Sequence, residues 1–140
     1  MMAELFLDIV TPSKSVFKGT VKSITVPGSK GRFQVLINHA PIISTFEIGM
    51  IKIDLPDGTS DYYSTGGGTI EVLNNNITVL ADSIELVSEI DVDRALKAKQ
   101  RAEERLTKRN IDKDIDVQRA EAALARAINR INAREKCFNQ

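Results

Sequence analysis

The stretch Ile90-Asp91-Val92-Asp93-Arg94-Ala95 divides this 140-residue chain into two parts of different character. Every Gly and every Pro lies before it, so the residues that most often interrupt a helix are confined to the first part. A close copy, Ile115-Asp116-Val117-Gln118-Arg119-Ala120, begins 25 residues later. Because Asp is a favourable N-cap, the copies predict two helices of similar build that begin just after Asp91 and Asp116.

Small side chains follow both starts at the same spacing. The first set is matched residue by residue in the second: Ala95, Ala98 and Ala102 by Ala120, Ala123 and Ala127. Spacings of three and four place each set on one stripe of its helix, and facing stripes of small residues let two helices approach closely. We therefore expect an antiparallel hairpin. Ala buries little apolar area, so the hairpin needs further support from a ligand, a partner or the rest of the chain.

Arginines accompany both Ala stripes. Arg94, Arg101 and Arg105 fall within an arc of about 40° on the first helix, and Arg126 and Arg130 share a face of the second. Two interpretations stay open. The arginines form either a solvated basic face or an anion site, because guanidinium groups converging from two helices suit phosphate.

Residues 1–89 have the opposite character, since their apolar residues are mostly Ile, Val, Leu and Phe, which favour strands. Short runs of this kind occur at residues 5–10, 21–26, 33–37, 42–46, 50–55, 69–73 and 77–80. Turn signals separate them at residues 27–31, 56–58 and 74–76. The pattern predicts an α+β chain: an N-terminal antiparallel β-sandwich over residues 1–89, followed by a C-terminal antiparallel two-helix hairpin over residues 90–140.

Charge and composition narrow the function classes. The formal net charge is zero, which argues against a general nucleic-acid binder. The zero is the sum of −4 over residues 1–89 and +4 over residues 90–140. One Cys and one His are too few for a four-ligand zinc site, so we expect no metal. No apolar run approaches the roughly 18 residues of a membrane span, and the chain start lacks the features of a signal peptide.

Sequence motifs for catalysis are missing, so we expect no catalytic residue and no enzyme working alone. No nucleophile elbow surrounds any Ser. The run Gly66-Gly67-Gly68 is not followed by the Lys and Ser or Thr of a P-loop. It is interpreted as backbone freedom at a strand start rather than as a phosphate cradle, and Cys137 is interpreted as an incidental thiol rather than a nucleophile.

Four stretches, in order, carry a family resemblance. They are 31–36 (Gly-Arg-Phe-Gln-Val-Leu) with 38–42 (Asn-His-Ala-Pro-Ile), 64–68 (Ser-Thr-Gly-Gly-Gly) with 70–72 (Ile-Glu-Val), 78–82 (Thr-Val-Leu-Ala-Asp), and 90–95. Together they resemble the epsilon subunits of F-type ATP synthase over essentially the whole chain. The resemblance implies a non-catalytic central-stalk subunit that couples proton translocation to ATP synthesis and restrains ATP hydrolysis through its C-terminal helices.

The resemblance also implies partners and a place in the cell. The sandwich would bind the gamma subunit and the ring of c subunits, with Lys30, Arg32 and His39 near that contact; for His39 a satisfied turn histidine is the alternative. The hairpin would be regulatory, either folded or extended toward the catalytic alpha/beta hexamer. The location would be the cytoplasmic face of a bacterial plasma membrane, as a peripheral subunit, with an organellar inner membrane as the alternative.

A regulatory ligand is a further implication of the resemblance. No cofactor is required, but some members bind ATP in the folded form. The matching positions here are Glu85, Asp91, Arg94, Arg101, Arg126 and Arg130. The competing interpretation is that these arginines serve the hairpin or the acidic surface of the catalytic head. A stand-alone binding β-sandwich with a helical dimerisation tail is the alternative for the whole chain.

Overall fold

The computed structural model describes residues 3–112 and 114–138, without the side chains of residues 137 and 138, so Cys137 lies outside the described side chains. The chain forms two compact units, the first ending at Leu86 and the second beginning at Val87. The strands of the first unit are β1 Leu5–Val10, β2 Ser15–Val21, β3 Ser23–Val26, β4 Phe33–Val35, β5 Ile42–Phe46, β6 Gly49–Asp54, β7 Ser60–Thr65, β8 Gly68–Leu73, β9 Asn76–Ala81 and β10 Ile84–Leu86. The second unit contains a 3₁₀ turn at Val87–Glu89 and the helices α1 Val92–Thr107 and α2 Val117–Phe138.

Within the described residues, the first unit consists of two five-stranded sheets. Sheet I has the order β2-β1-β9-β8-β5, and sheet II has the order β10-β7-β6-β3-β4. Alternate residues of each strand point inward, and fully buried aliphatic side chains such as Leu7, Ile53 and Val79 form the core between the sheets. The predicted sandwich is confirmed. One pairing differs from the expected antiparallel pattern, because β1 inserts between β2 and β9 and runs parallel to β9.

Three strands have no counterpart among the predicted runs. β7 is rich in Ser and Tyr, and it buries the hydroxyl-bearing Ser64 and Thr65 instead of aliphatic side chains. Thr65 keeps its hydroxyl satisfied by donating to the Ser83 carbonyl at 2.9 Å. β2 and β10 are edge strands, which need less apolar sequence because each pairs on one side only.

The predicted strand at residues 21–26 is wrong in one respect, since the structure divides it at Lys22. Val21 ends β2 in sheet I, and Ser23 begins β3 in sheet II. The amide of Lys22 donates to the Asp54 carbonyl at 2.7 Å, which fixes the crossing between the sheets. The local apolar pattern continues through the crossing and therefore gives no sign of it.

The turn prediction at residues 74–76 is confirmed. Asn74 and Asn75 form a two-residue hairpin loop between β8 and β9, with φ of 50° and 63°. Asn is one of the few side chains that tolerate this left-handed backbone, and two such residues make the hairpin turn that matches the twist of paired strands.

Both predicted helix starts are confirmed. The Asp91 carboxylate accepts a hydrogen bond from the Arg94 amide at 3.1 Å, and the Asp116 carboxylate accepts one from the Arg119 amide at 3.0 Å. Each bond satisfies one of the amides that the first helical turn leaves without a partner. α1 and α2 pack on each other, so the predicted hairpin is confirmed as well.

The antiparallel direction follows from a contact at the base of the hairpin. Arg134, near the end of α2, donates through Nη1 to the carbonyl oxygens of Val87 at 3.2 Å and Ser88 at 2.6 Å. These two residues lie just before α1, so the end of α2 meets the start of α1. Ala95 and Ala102 of α1 and Ala120 and Ala127 of α2 are all buried, as the predicted stripes require of a packed hairpin.

The Asp54 carboxylate makes the stability of the sandwich depend on pH in the acid range. The hydroxyls of Ser23 and Ser60 donate to it at 2.6 and 2.7 Å, and Lys52 Nζ lies 3.7 Å away. These contacts, that of Ser23 foremost, lower the pKa of Asp54 below its ordinary 3.8. Because the folded-state pKa is depressed, the stabilisation is present above pH 3.8 and is lost as the pH falls through the folded value.

We predict that Asp54→Asn lowers the free energy of unfolding at neutral pH and that this difference shrinks as the pH falls below about 4. Urea denaturation at a series of pH values measures it. Glu71→Gln makes the same chemical change at an exposed strand position and serves as control. A deficit of Asp54→Asn that is constant from pH 7 down to pH 2.5 would contradict the assignment.

Candidate functional site

The arginines of the hairpin occupy equivalent positions in the two copies of the repeat. With the offset of 25 residues, Arg94 corresponds to Arg119, Arg101 to Arg126 and Arg105 to Arg130. In both helices an Arg directly precedes a buried Ala of the helix interface, so its Cβ lies about 100° around the helix axis from the packed stripe. The arginines therefore flank the interface and do not lie in it.

Antiparallel packing brings both flanks to the same side. A pair of antiparallel helices that packs through equivalent positions has an approximate two-fold axis perpendicular to the plane of the helix axes. Rotation about that axis exchanges the helices but keeps each broad face of the hairpin on its own side. The Arg stripes of α1 and α2 consequently share one broad face, which we call the Arg face; its members are Arg94, Arg101, Arg105, Arg119, Arg126 and Arg130.

The hydrogen bond from Arg134 to Ser88 sets the level of one helix against the other. With a rise of about 1.5 Å per residue in both helices, Arg126 and Arg130 lie near the level of the first turn of α1. Arg94 is in that turn, and Arg101 lies about 10 Å further along the axis. Arg94, Arg126 and Arg130 thus lie on the half of the Arg face nearest the base of the hairpin, whereas Arg101 lies beyond its midpoint.

The two predicted acidic positions have other roles in the described structure. Asp91 is exposed and caps α1 with its carboxylate. Glu85 is half-buried in β10, opposite Ser64 of β7, and belongs to the first unit, whereas the other five predicted ligands belong to the second. The assignment of all six residues to ATP stays a prediction.

The predicted stalk contacts lie in two different loops. Lys30 and Arg32 are exposed in the β3–β4 turn, which is tied to the end of β5 by the hydrogen bond between the Ser29 and Thr45 hydroxyls at 2.8 Å. His39 lies before the start of β5. The five residues of β5 separate these points by roughly 14 Å, so the structure brings Lys30 and Arg32 together but not His39.

The His39 loop is held by side chains of the β8–β9 turn. Asn75 accepts from the Asn38 amide at 2.6 Å and donates to the Asn38 side chain at 3.3 Å. Asn38 has a φ of 62°, a conformation that its short polar side chain tolerates. His39 Nδ1 lies 2.7 Å from the Ala40 carbonyl, which fits the satisfied turn histidine that the sequence left open.

The three-glycine run is used for backbone geometry. Gly67 has a φ of 106°. Its amide donates to the Thr65 hydroxyl at 3.2 Å, and the Gly66 amide donates to the Ser83 carbonyl at 3.0 Å. These amides are therefore unavailable to a phosphate. An open cavity of about 590 Å³ beside the run is bordered by the carboxylates Glu47 and Asp82, which also disfavour an anion.

The roles of two groups were not indicated by the sequence. Arg134 is a structural clamp on the Val87 and Ser88 carbonyls, a role that depends on antiparallel packing and has no local sequence signal. Asp8, on the outer side of β1, has a carboxylate oxygen that is buried and without a hydrogen-bond partner. Arg105 and Arg119, by contrast, are indicated by the repeat, in which they occupy the positions equivalent to Arg130 and Arg94.

Comparison with known proteins places the chain in a family. The family model for the β-sandwich domain of the ATP synthase delta/epsilon chain matches residues 4–87, and the model for its long α-helix domain matches residues 88–135. The chain belongs to the ATP synthase delta/epsilon chain family. The two matches together span nearly the whole chain, in the same order as the two observed units.

Curated relatives of the family are similar over their full length. The ATP synthase epsilon chain of Desulfitobacterium hafniense (strain Y51) is 45% identical over 133 residues, covering 95% of this chain and 98% of the relative. That of Nitratidesulfovibrio vulgaris (strain DP4) is 42% identical over 134 residues, covering 96% and 98%. The resemblance to epsilon subunits predicted from the four motifs is confirmed.

Two solved structures contain chains that share the fold. A chain in the mitochondrial ATP synthase of Euglena gracilis (OSCP/F1/c-ring) superposes with a TM-score of 0.77 at 20% identity, covering all of this chain and 84% of that one. A chain in the central stalk/c-ring structure from Tetrahymena thermophila superposes with a TM-score of 0.60 at 16% identity, covering 94% of each chain. At these identities the likeness concerns the fold.

Two kinds of feature are absent from the described part of the chain. Neither helix is long and apolar enough over its described residues to cross a membrane. Among residues 3–112 and 114–138, no group of three or more His, Cys, Asp and Glu residues is placed to hold a metal ion.

We predict that Arg134→Gln destabilises the hairpin, because it removes a charged donor shared by two carbonyl groups. Hydrogen bonds from charged groups contribute about 1.5–3 kcal/mol, and partial exposure reduces this to about 1–2 kcal/mol here. Faster amide hydrogen exchange in α1 and α2, together with a lower free energy of unfolding, measures the effect. Arg119→Ala, an exposed site on the same helix, is the control. Equal exchange rates in the two variants would contradict the assignment of Arg134 as a clamp.

Proposed function

We propose that the chain is a non-catalytic subunit of the central stalk of a proton-translocating ATP synthase. There it couples proton translocation to ATP synthesis, and its helices restrain ATP hydrolysis. The observation that carries the proposal is the full-length match to both epsilon-chain domains.

In this role the sandwich binds the gamma subunit and the c-subunit ring. Because the β3–β4 loop and the His39 loop are separated, they support two contacts of the sandwich with these partners and not one. Lys30 and Arg32 present exposed cations at one end of β5, and His39 lies at the other. Cations on a short turn suit a polar or acidic loop of a partner.

The hairpin is the regulatory element. Its interface consists largely of Ala, and each buried methylene contributes only about 0.8 kcal/mol, so a modest competing interaction can open it. When the helices extend, their basic side chains suit an acidic surface of the catalytic alpha/beta hexamer. The net charge of +4 over residues 90–140 supports this partner.

ATP stabilises the folded hairpin by binding to the Arg face. Arg94, Arg126 and Arg130 lie on one face near a common level, with Arg101 further along, so that phosphate oxygens can bridge the two helices. Asp91 and Glu85 complete the proposed set. A ligand that binds only the folded form stabilises it by about 2.7 kcal/mol at a hundredfold excess over its Kd.

The proposed location is the cytoplasmic face of a bacterial plasma membrane, with peripheral attachment through the complex. The relatives at 42–45% identity are bacterial chains, whereas the mitochondrial structures are only 16–20% identical. The alternative of a helical dimerisation tail is disfavoured, because the small-residue stripes are already buried between the two helices of one chain.

We predict that the full chain co-purifies with the gamma subunit of the same synthase in a one-to-one complex, as measured by size exclusion with light scattering. The same experiment on the chain alone gives a monomer. A chain that fails to bind gamma, or that forms a constitutive homodimer through its helices, would contradict the proposed function.

We predict that ATP binds the isolated chain and that Arg94→Ala and Arg126→Ala each weaken binding by at least about tenfold, since each removes charge-assisted bonds to phosphate. Calorimetry with and without Mg²⁺ is the measurement. Lys99→Ala removes a cation that lies about 140° around the helix axis from Arg94, beyond the Ala95 stripe, where its ammonium is 3.9 Å from the Glu103 carboxylate, and it should leave affinity unchanged. No binding heat at millimolar ATP would exclude ATP sensing while leaving the stalk role intact.

A further inference from the structure

The half of the Arg face farthest from the base of the hairpin carries a second group of arginines. The approximate two-fold axis that exchanges the helices also exchanges the two halves of this face. It carries the three arginines near the base onto three equivalent residues near the tip, which are Arg101, Arg105 and Arg119. We call these three residues the distal Arg cluster. The cluster repeats, at the other end of the hairpin, the arrangement found near the base.

The levels of the two helices bring the distal Arg cluster together. The hydrogen bond from Arg134 to the Ser88 carbonyl sets these levels. Arg119 of α2 lies at a level between Arg101 and Arg105 of α1, about 3 Å from each along the axis. The axes of packed helices are about 8–10 Å apart, so the three long side chains can reach one anion above the groove between the helices.

The guanidinium groups of the distal Arg cluster are available to a ligand. All three residues are exposed. Among the side chains that the structure describes, these guanidinium groups take part in no ion pair and no side-chain hydrogen bond. The carboxylate of Glu103 lies on the other side of α1 and is 3.9 Å from Lys99. Like charges four residues apart on a helix repel each other, so an anion shared by the cluster relieves a cost that the folded hairpin otherwise carries.

The charges that border the cluster leave it positive. Glu104 and Lys108 of α1 each lie about 60° around the helix axis from the nearest arginine of the cluster, and Lys97 lies about 40° from it. The Asp116 carboxylate is the other nearby anion, and it caps α2 by accepting from the Arg119 amide. Five cations, the two lysines and the three arginines, therefore face two carboxylates at this end of the hairpin.

A phosphate chain is the anion that fits this arrangement. Guanidinium groups bind phosphate oxygens through paired charge-assisted hydrogen bonds. The three groups come from both helices, so a compact anion with several oxygens uses them together, whereas an acidic protein surface lying along one helix does not. Glu85, one of the proposed ATP ligands, lies outside the repeat, and the two-fold axis of the hairpin therefore supplies no counterpart of it at the distal Arg cluster.

We propose that the distal Arg cluster is a second anion site of the hairpin, which binds the phosphate chain of an inorganic polyphosphate or of a nucleotide without recognising a nucleoside. The site goes beyond the proposed ATP site, because Arg105 and Arg119 are not among the ligands of that site. Arg101 belongs to the distal half by its level. An anion bound here ties α1 to α2 near the tip, as ATP does near the base in the proposed function.

Calorimetry of the full chain with inorganic triphosphate tests the proposal in a variant that lacks the base half of the Arg face. This base-half variant combines Arg94→Ala with Arg126→Ala, and it should still bind triphosphate at one site. Adding Arg105→Ala and Arg119→Ala should weaken that binding by at least about tenfold, because both substitutions remove charge-assisted bonds. Ala favours the helix at these exposed positions, and urea denaturation checks that every variant stays folded.

Lys99→Ala combined with Lys136→Ala is the matched control in the base-half variant, since it also removes two cations from the same two helices. Lys99 lies about 160° around α1 from Arg101, and Lys136 lies about 25 Å along α2 from Arg119. The control should bind triphosphate as the base-half variant does. An equal loss of affinity in the control would show unspecific attraction to positive charge and would overturn the site.

Parallel titrations with ATP distinguish the two sources of phosphate. The base-half variant should bind ATP and inorganic triphosphate with similar affinity, and binding of ATP alone would overturn the assignment of a site without nucleoside recognition. If that variant binds neither compound while wild type binds ATP, the proposed ATP site stands and the distal site is wrong. If it binds both compounds as tightly as wild type does, the distal site stands and ATP binding near the base is wrong.

Discussion

Close packing of alanines between the two C-terminal helices is the constraint on which the second unit of the chain depends. Ala95 and Ala102 of α1 and Ala120 and Ala127 of α2 are all buried. Short side chains let two helices approach closely, and the arginines that flank the interface in both helices lie on one face of the hairpin. The same short side chains keep the interface between the helices weak, since they remove little apolar area from water. The buried alanines thus determine the geometry of the Arg face, and they also make the hairpin depend on contacts outside its own interface.

The sandwich has a different physical basis. Its core consists of Ile, Val and Leu side chains that are almost fully buried between two sheets. Because such a core is closely packed, the strands rigidly support the outward-facing side chains and the loops. Sheet I carries an apolar outer face with one unsatisfied carboxylate, and the loops at the two ends of β5 carry the Lys30–Arg32 and His39 segments. The sandwich thus presents several separate surfaces on one rigid core.

Much of the architecture was predictable because the signals are local. Asp91 and Asp116 were recognisable as caps, and the paired asparagines at 74 and 75 as a hairpin turn, since each depends on the conformational preference of one or two residues. β7 and the sheet crossing at Lys22 were not predictable. A polar strand is stabilised by its neighbours, and a crossing is decided by which partner strand is available on each side.

The sequence by itself determined the two-part organisation, the helix starts, the Ala and Arg stripes and the family, because all of these are set by residue identity and spacing along the chain. Only the tertiary structure decided that the two Arg stripes share a face and that Arg134 clamps the base of the hairpin. It also placed His39 apart from Lys30 and left Asp8 Oδ1 without a partner. These features depend on which distant segments come into contact. Hydrogen-bond satisfaction and the facing of helices are properties of the packed chain and have no counterpart in local sequence.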